Sequence, residues 1–207
     1  MNNIYKSVII ILFLILGCSK KVDEDNRLTQ KINSLDMNVY SIKGEKIYSI
    51  YSPNSSYNKV KHMFELGNTT IYLFEDTIKK YTISSDKSKL SDNNKKLELN
   101  GNVEIRTILQ NDDVLNADNF VWNINDSKYI LEGNVNFENT DIVLSSNKAT
   151  LSSENIIEFY NPVKYIIKNQ NNEKSYEINS ENAYYNVKTK SVKFSSKDKQ
   201  VRSKIYF

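Results

Sequence analysis

The feature that most constrains the fold of this chain is an eight-residue pattern that occurs five times. The copies begin at residues 50, 83, 115, 144 and 178, so successive copies lie 29 to 34 residues apart. Each octet has Ile or Leu at its first position, Ser or Ala at its third, usually Ser or Ala at its sixth, and Leu or an aromatic residue at its eighth. Such a period is typical of repeat architectures, in which each unit buries its apolar face against the next.

Between the octets, apolar and polar residues alternate one by one around Gly67-Asn68, Gly101-Asn102, Gly133-Asn134 and the related Asn161-Pro162. A period of two is that of a half-buried strand, and the 14 tyrosines also favour sheet. Each module is therefore predicted to contain two strands of opposite direction. The residues predicted to face inward are Leu97, Leu99, Val103, Ile105, Leu131, Val135, Phe137, Val163 and Ile167.

The apolar or small residues of each octet are at positions one, three, six and eight. In a regular strand, positions one and three would point to one face of the sheet, and positions six and eight to the other. A strand can bury all four on one face only if it contains a bulge or a corner near the fourth and fifth positions. The sheet should then fold over on itself. We predict an all-β fold, an open twisted β-jelly roll or β-taco of about five two-strand modules, whose lumen is either accessible or a dry core.

The first residues predict export and lipidation. Lys6 precedes an apolar run and a small residue at position 17, which is the pattern of a secretory signal. The run is shorter than the roughly 20 residues of a membrane-spanning helix. Ile15-Leu16-Gly17-Cys18 is a bacterial lipobox, so cleavage after residues 1–17 should leave Cys18 as an acylated N-terminus. Two or three acyl chains would anchor the protein stably to a membrane.

The mature chain divides into a tether and a single repeat domain. Residues 18–34 are predicted to be the lipidated N-terminus and a flexible tether, because the segment from Ser19 to about Lys31 is polar and lacks periodicity. Residues 35–207 form the predicted β-domain. The formal charge of +3 comes from lysines interspersed with acidic residues, which argues against a nucleic-acid partner.

The residue types needed for catalysis are scarce. With one histidine, His62, and one cysteine, the chain cannot assemble a metal cluster of usual spacing or a histidine-dependent triad. We expect His62 to be structural and near the surface. Asp112 and Asp113 are expected to be solvated turn residues rather than a glycosidase pair. We predict no enzyme activity and no cofactor.

Two features leave alternatives open. The lysine pairs Lys79-Lys80 and Lys95-Lys96 would suit the phosphates of a glycolipid headgroup, or equally solvated charges that discourage unwanted strand pairing. Trp122, at the eighth position of the third octet, is expected in the core rather than in contact with a ligand.

Three stretches, together with the lipobox and tether, resemble the LptC family of lipopolysaccharide-export proteins. They are KKLELNGNVEIRTILQNDDVLNADNFVWN, KYILEGNVNFENTDIVLSSNKATLSS and IYSIYSPNSSYNKVKHMFELGNTTIYLF, within about residues 37–195. The family shares its repeat with LptA and the organic-solvent-tolerance proteins. The resemblance implies a periplasmic protein that accepts lipopolysaccharide extracted by an inner-membrane ABC transporter and passes it to an LptA-like protein through edge-strand pairing.

The resemblance also implies that lipid A acyl chains bind along the nine inward-facing residues. It favours the inner membrane for the lipid anchor, although the sequence leaves open which membrane holds it. Many members are instead held by an uncleaved transmembrane helix, so the lipobox is a departure. The sequence leaves open two rivals: an acylated bridge protein of the LptA kind, and a surface lipoprotein or adhesin with a dry β core. The identity of the glycolipid is also open.

Overall fold

The computed structural model of the chain describes residues 28–91, 93, 95–108, 113–126, 128–151, 155–198 and 200–206. The predicted signal segment and Cys18 lie outside these residues. The strands are β1 (Thr29–Ile32), β2 (Leu35–Tyr40), β3 (Lys46–Ser52), β4 (Asn54–Asn58), β5 (Met63–Glu75), β6 (Ile78–Ser91), β7 (Lys96–Thr107), β8 (Val114–Asn123), β9 (Lys128–Glu138), β10 (Ile142–Leu151), β11 (Ile156–Lys168), β12 (Lys174–Asn186), β13 (Ser191–Ser195) and β14 (Arg202–Ile205).

These 14 strands form one antiparallel sheet in which β4 to β13 follow one another in chain order. Apart from a short 3-10 turn at Ile124–Asp126, every helix or strand assigned between residues 29 and 206 is a strand. The alternation of apolar and polar residues explains this, since neighbouring strands can bury one common face. The predicted all-β fold is confirmed, and a single large folded sheet agrees with the predicted jelly roll.

The predicted corner is present in the middle of the long strands. The octets lie on β3–β4, β6, β8, β10 and β12, and the pairing register shifts within them, for example between Ser84 and Lys87 and between Asn116 and Asn119. In the first octet, Pro53 separates β3 from β4. Because the extra residue changes parity, Ser85 and Ser88 are both buried while the two residues between them are exposed.

The corners divide the sheet into two facing layers. Layer 1 contains β2, β3 and β14, the second halves of β5, β7, β9 and β11, and the first halves of β6, β8, β10 and β12. Layer 2 contains β1, β4, β13 and the remaining halves. The layers join along the line of corners, which we call the seam. The hairpins that connect the long strands lie on the opposite side, which we call the mouth.

Serine hydroxyls stabilise the seam. A hydroxyl at the third octet position donates to the backbone carbonyl two residues later, which holds the chain as it turns the corner. This explains why four of the five octets have serine at this position, Ala117 being the exception. The bonds join Ser52 to Asn54 (2.9 Å), Ser85 to Lys87 (3.3 Å), Ser146 to Lys148 (2.8 Å) and Ser180 to Asn182 (3.0 Å).

Glycine–asparagine pairs occupy the seam on the neighbouring strands. Gly133 and Asn134 both have positive φ, at 76° and 47°, a conformation that glycine adopts without steric cost and that asparagine tolerates better than most residues. The Asn134 Nδ2 donates to Asp118 Oδ2 of the adjacent octet at 2.8 Å. The same 2.8 Å bond joins Asn102 to Asp86.

Aromatic side chains of the two layers pack against each other across the interior of the fold. Tyr48 of layer 1 packs edge-on against Trp122 of layer 2, with ring centroids 5.1 Å apart. Phe137 of layer 1 contacts Tyr185 of layer 2 at 4.7 Å. Burial raises the pKa of Tyr48 to about 12. These contacts across the layers show that the sheet closes on its own apolar face.

The two ends of the sheet differ from the prediction in one respect. β1 lies within the segment predicted to be a flexible tether, where it pairs with β4 in register Thr29↔Asn58 to Ile32↔Ser55. Its side chains are mostly exposed, so backbone hydrogen bonds, rather than an apolar pattern, hold it in the sheet. The tether prediction was therefore wrong for residues 29–32.

At the other end, β14 pairs with the first half of β12. Glu177 on β12 is largely buried beneath Lys174, Lys164 and Tyr206. Hydrogen bonds from Lys174 and then Asn179 lower the pKa of Glu177 to about 2. The C-terminal segment is thus held by the pairing of β14 with β12 and by the Tyr206 hydroxyl, which donates to Glu177 Oε2 at 3.5 Å.

Candidate functional site

A cavity of about 320 Å³ lies between the two layers on the side of the mouth. Its volume is at the lower end of the range of ligand sites, roughly 300–1,000 Å³. Both layers contribute to its wall because each long strand runs from one layer to the other. The lining residues are Leu73, Phe74, Glu75, Lys80, Tyr81, Ile83, Ile105, Thr107, Asp113, Leu115, Phe120, Tyr129, Leu131, Phe137, Leu151, Asn155, Ile157 and Val187.

The wall changes character from the interior to the rim. Ile83 and Leu131 are buried on the side toward the seam, whereas Lys80 and Thr107 near the hairpin ends are half-exposed and Glu75 is exposed. The cavity is therefore reached from solvent through the mouth. An apolar interior below a polar rim suits an amphipathic ligand that buries its apolar part and keeps its polar part in water.

Aromatic rings support one side of the cavity. Tyr129 stacks on Trp122 with ring centroids 5.5 Å apart and lies 6.0 Å from the ring of Phe120. Burial raises the pKa of Tyr129, and burial followed by the charges of Glu75 and Asp113 raises the pKa of Tyr81. Both phenols are therefore neutral at physiological pH.

The nine residues predicted to face a groove all point inward, but they occupy two environments. Ile105, Leu131 and Phe137 line the cavity. Ile167 is half-buried and packs against the core. The other five are buried in the packed core outside the cavity wall. They are Leu97, Leu99, Val103, Val135 and Val163.

The prediction that Asp112 and Asp113 are solvated turn residues was wrong for Asp113. Asp112 lies outside the described residues, whereas Asp113 is only 6% exposed and lines the cavity. Asn139, in the turn between β9 and β10, donates from Nδ2 to Asp113 Oδ1 at 3.2 Å. Neighbouring hairpins pack together at the mouth, so the carboxylate is covered although its own segment is polar.

The other residues of interest have structural contacts. His62 is exposed in the turn between β4 and β5, where its Nδ1 lies 3.2 Å from the hydroxyl of Tyr57. Trp122 is buried, as predicted, and packs behind Tyr129 rather than in the cavity wall.

The lysine pairs do not form one cluster. Lys80 lies at the cavity rim, 3.8 Å from Glu75, and Lys79 sits over the ring of Tyr72 at 3.5 Å. Lys96, at the start of β7 in layer 2, pairs with Glu98 at 2.6 Å. Only Lys80 is therefore placed to meet a polar group of a ligand in the cavity.

Two kinds of feature are missing from the described part of the chain. It contains no group of three or more His, Cys, Asp or Glu side chains arranged to hold a metal ion. Within the same residues, no helix has the length and apolar character to cross a membrane.

Sequence comparison identifies the family of this cavity-containing sheet. Residues 9–141 match the family described as lipopolysaccharide-assembly, LptC-related. The chain belongs to the LptC family. The family acts in lipopolysaccharide transport in the periplasm and is not a family of enzymes. No curated protein matches the chain.

The LptC match ends at residue 141, but the fold continues beyond it. β10 and β12 carry the fourth and fifth octets, and their corners have the same serine-to-carbonyl bond as the first and second octets, which lie within the match. The LptC-family fold of this chain therefore extends to the C-terminal strands. The match also includes most of the predicted apolar signal segment, which lies outside the described residues.

Proposed function

We propose that this protein carries lipopolysaccharide by holding lipid A acyl chains in the cavity between its two layers. It accepts the glycolipid extracted by an inner-membrane ABC transporter and passes it to the next periplasmic bridge protein. The observation that supports this role is an apolar cavity, open at the mouth, in a member of a lipopolysaccharide-transport family. No chemical reaction is involved.

The physical requirement for such a carrier is apolar surface that stays available to a guest. Each methylene group moved out of water stabilises the complex by about 0.8 kcal/mol. The acyl chain must also leave the protein again. A shallow cavity that buries only part of the acyl chain therefore serves transfer to the next carrier better than a deep closed pocket. A cavity of about 320 Å³ with a half-exposed rim meets both requirements.

The residues proposed to contact the acyl chain are those that line the cavity. From the predicted set these are Ile105, Leu131 and Phe137. The five core residues of that set support the wall from behind, since they are buried against the protein's own side chains. Ile167 lies beside the core, toward the end of the sheet where β13 and β14 are found.

The anchor and the partners follow from the same proposal. Acylation of Cys18 would hold the N-terminal end of the sheet, formed by β1 and β2, near the inner membrane. The strands β13 and β14 at the other end would then face the periplasm. An added strand from an LptA-like protein could extend the apolar face there, which is a known mode of docking on a sheet edge.

Site-specific photo-crosslinking in cells tests the proposal. A photo-reactive amino acid at Phe137 or Leu131 is expected to capture lipopolysaccharide, which an antibody against the glycolipid detects as a shifted band. Arg106 provides the matched control, because it neighbours Ile105 on β7 but is exposed and pairs with Glu104 at 2.5 Å. The same residue at Val135 should capture less, since Val135 is buried outside the cavity wall.

Capture at Arg106 as strong as at Phe137 would contradict the cavity as the binding site. Failure at every lining position, with the variants expressed and folded, would contradict lipid carriage altogether.

A further inference from the structure

Asp113 is an unusual residue to find in the wall of an apolar cavity. It is 6% exposed, and its Oδ2 has no hydrogen-bond partner among the described residues. A buried carboxylate oxygen without a donor is unfavourable, because it loses its bonds to water and gains none in return. Such a group therefore points to a ligand that supplies the donor.

The orientation of this carboxylate is fixed by its neighbour. Asn139 Oδ1 accepts hydrogen bonds from the backbone amides of Asp141 (3.0 Å) and Ile142 (2.9 Å), which determines how the amide group faces. Its Nδ2 is then directed to Asp113 Oδ1 at 3.2 Å. One oxygen of the carboxylate is thus held by the protein while the other remains available to a ligand.

The surroundings of Asp113 favour a neutral donor. Its negative charge helps to raise the pKa of two nearby tyrosines, Tyr81 and Tyr185, although burial is the larger cause in both. The pKa of Tyr185 is raised to about 12. The cation at the rim, Lys80, is 3.8 Å from Glu75. A hydroxyl group reaches a buried acceptor at a much lower desolvation cost than an ammonium group.

The geometry points to Asp113 as the recognition site for a hydroxyl group carried on an acyl chain. The chain fills the apolar cavity, and its hydroxyl donates a hydrogen bond to Asp113 Oδ2. This inference rests on the proposed function and deepens it, because Asp113 would make the cavity prefer hydroxylated acyl chains to unsubstituted ones. The bond is charge-assisted, which makes it stronger than a bond between two neutral groups.

Competitive binding tests this selection. The purified full chain is loaded with a fluorescent fatty-acid analogue, which is displaced with methyl myristate or with its mono-hydroxylated counterparts carrying the hydroxyl at different carbons. At least one hydroxylated ester is expected to bind about tenfold more tightly than the plain ester. The preference should disappear in Asp113→Leu, whereas the affinity for the plain ester should be retained or increased.

Two further variants make the result specific. Asp113→Asn keeps the size of the side chain. Because Asn139 Nδ2 must still meet an oxygen, the amide oxygen takes the place of Oδ1 and the NH2 group takes the place of Oδ2. This variant should therefore reduce the preference even if Asp113→Leu folds poorly. Asp86→Leu makes the same change at an exposed seam residue that bonds Asn102, and it should leave the preference intact.

Equal affinity of all esters for the unchanged protein would overturn this inference and leave the proposed function standing. A preference that survives both substitutions of Asp113 would overturn it as well. If no ester displaces the fluorescent analogue, the proposed function fails and this inference fails with it.

Discussion

The seam and the mouth of this molecule are built on opposite principles. The seam consists of polar contacts that recur with the repeat, such as the serine-to-carbonyl bonds and the asparagine-to-aspartate bonds of 2.8 Å. The wall of the cavity at the mouth is mostly apolar, and its apolar side chains differ in identity from one module to the next. The repeat therefore specifies where the sheet folds over, and it leaves the space between the layers free to vary.

This difference separates stability from binding. A corner needs specific backbone angles and local hydrogen bonds, so substitution of the glycines and serines that supply them should lower stability. A cavity wall needs only apolar surface and room, so substitutions there should change what is bound more than whether the chain folds. The following substitutions test that separation.

The largest expected effect is that of Gly133→Ala at the seam. Gly133 has φ of 76°, and a Cβ added there would lie 2.9 Å from the Cβ of Asp118. Left-handed strain and the steric clash together should lower the free energy of unfolding by about 3 kcal/mol. Urea denaturation measures this loss.

Gly44→Ala is the matched control for the glycine substitution. Its φ of 83° imposes the same backbone strain, but an added Cβ meets nothing within 4 Å. We expect a loss of only about 1 kcal/mol. Equal losses in the two variants would show that the packing of the seam is not what makes Gly133 necessary.

A smaller effect is expected for Ser52→Ala. The Ser52 hydroxyl lies 2.9 Å from the carbonyl oxygens of both Asn54 and Gly67, and it accepts from the Gly67 amide at 3.2 Å. Alanine would leave these part-buried groups without a side-chain partner, at a cost of about 2 kcal/mol in denaturation experiments. Ser146→Ala, where the bond is to Lys148, should cost about 1 kcal/mol.

Alanine occurs naturally at this octet position as Ala117, so the variant should still fold. A loss at Ser52 no larger than that at Ser146 would contradict the role of the hydroxyl as the junction between β3, β4 and β5.

The sequence predicted the seam because its signal is local. The parity change within each octet required a corner, and the register shifts at Ser84/Lys87 and Asn116/Asn119 lie there. It missed β1 because Thr29–Ile32 lacks alternation and is held through its backbone. An edge strand of this kind has no apolar pattern to reveal it.

The candidate site was predicted only in part. The alternation of apolar and polar residues indicates which face of the sheet a side chain occupies, but not whether the opposite layer packs against it or leaves a cavity. Val135 and Phe137 share a strand and a parity, yet Phe137 lines the cavity and Val135 is packed outside its wall. Asp113 was missed for a related reason, since its burial depends on Asn139 in a different hairpin. Both outcomes are set by contacts between distant segments.

The smallest expected change in stability belongs to the mouth, in Ile105→Phe. Ile105 lines the cavity, so the larger phenylalanine side chain has space to enter it. The free energy of unfolding should therefore change by less than about 1 kcal/mol. Because the ring occupies the volume proposed for the acyl chain, displacement of a bound fluorescent fatty-acid analogue should show about tenfold weaker binding. Leu99→Phe on the same strand is the control, because Leu99 is fully buried in packed core and overpacking there should cost about 1–3 kcal/mol. If Ile105→Phe destabilises the protein as much as Leu99→Phe and leaves binding unchanged, then the layers are closed at the mouth as tightly as at the seam, and the separation between folding and carriage does not hold.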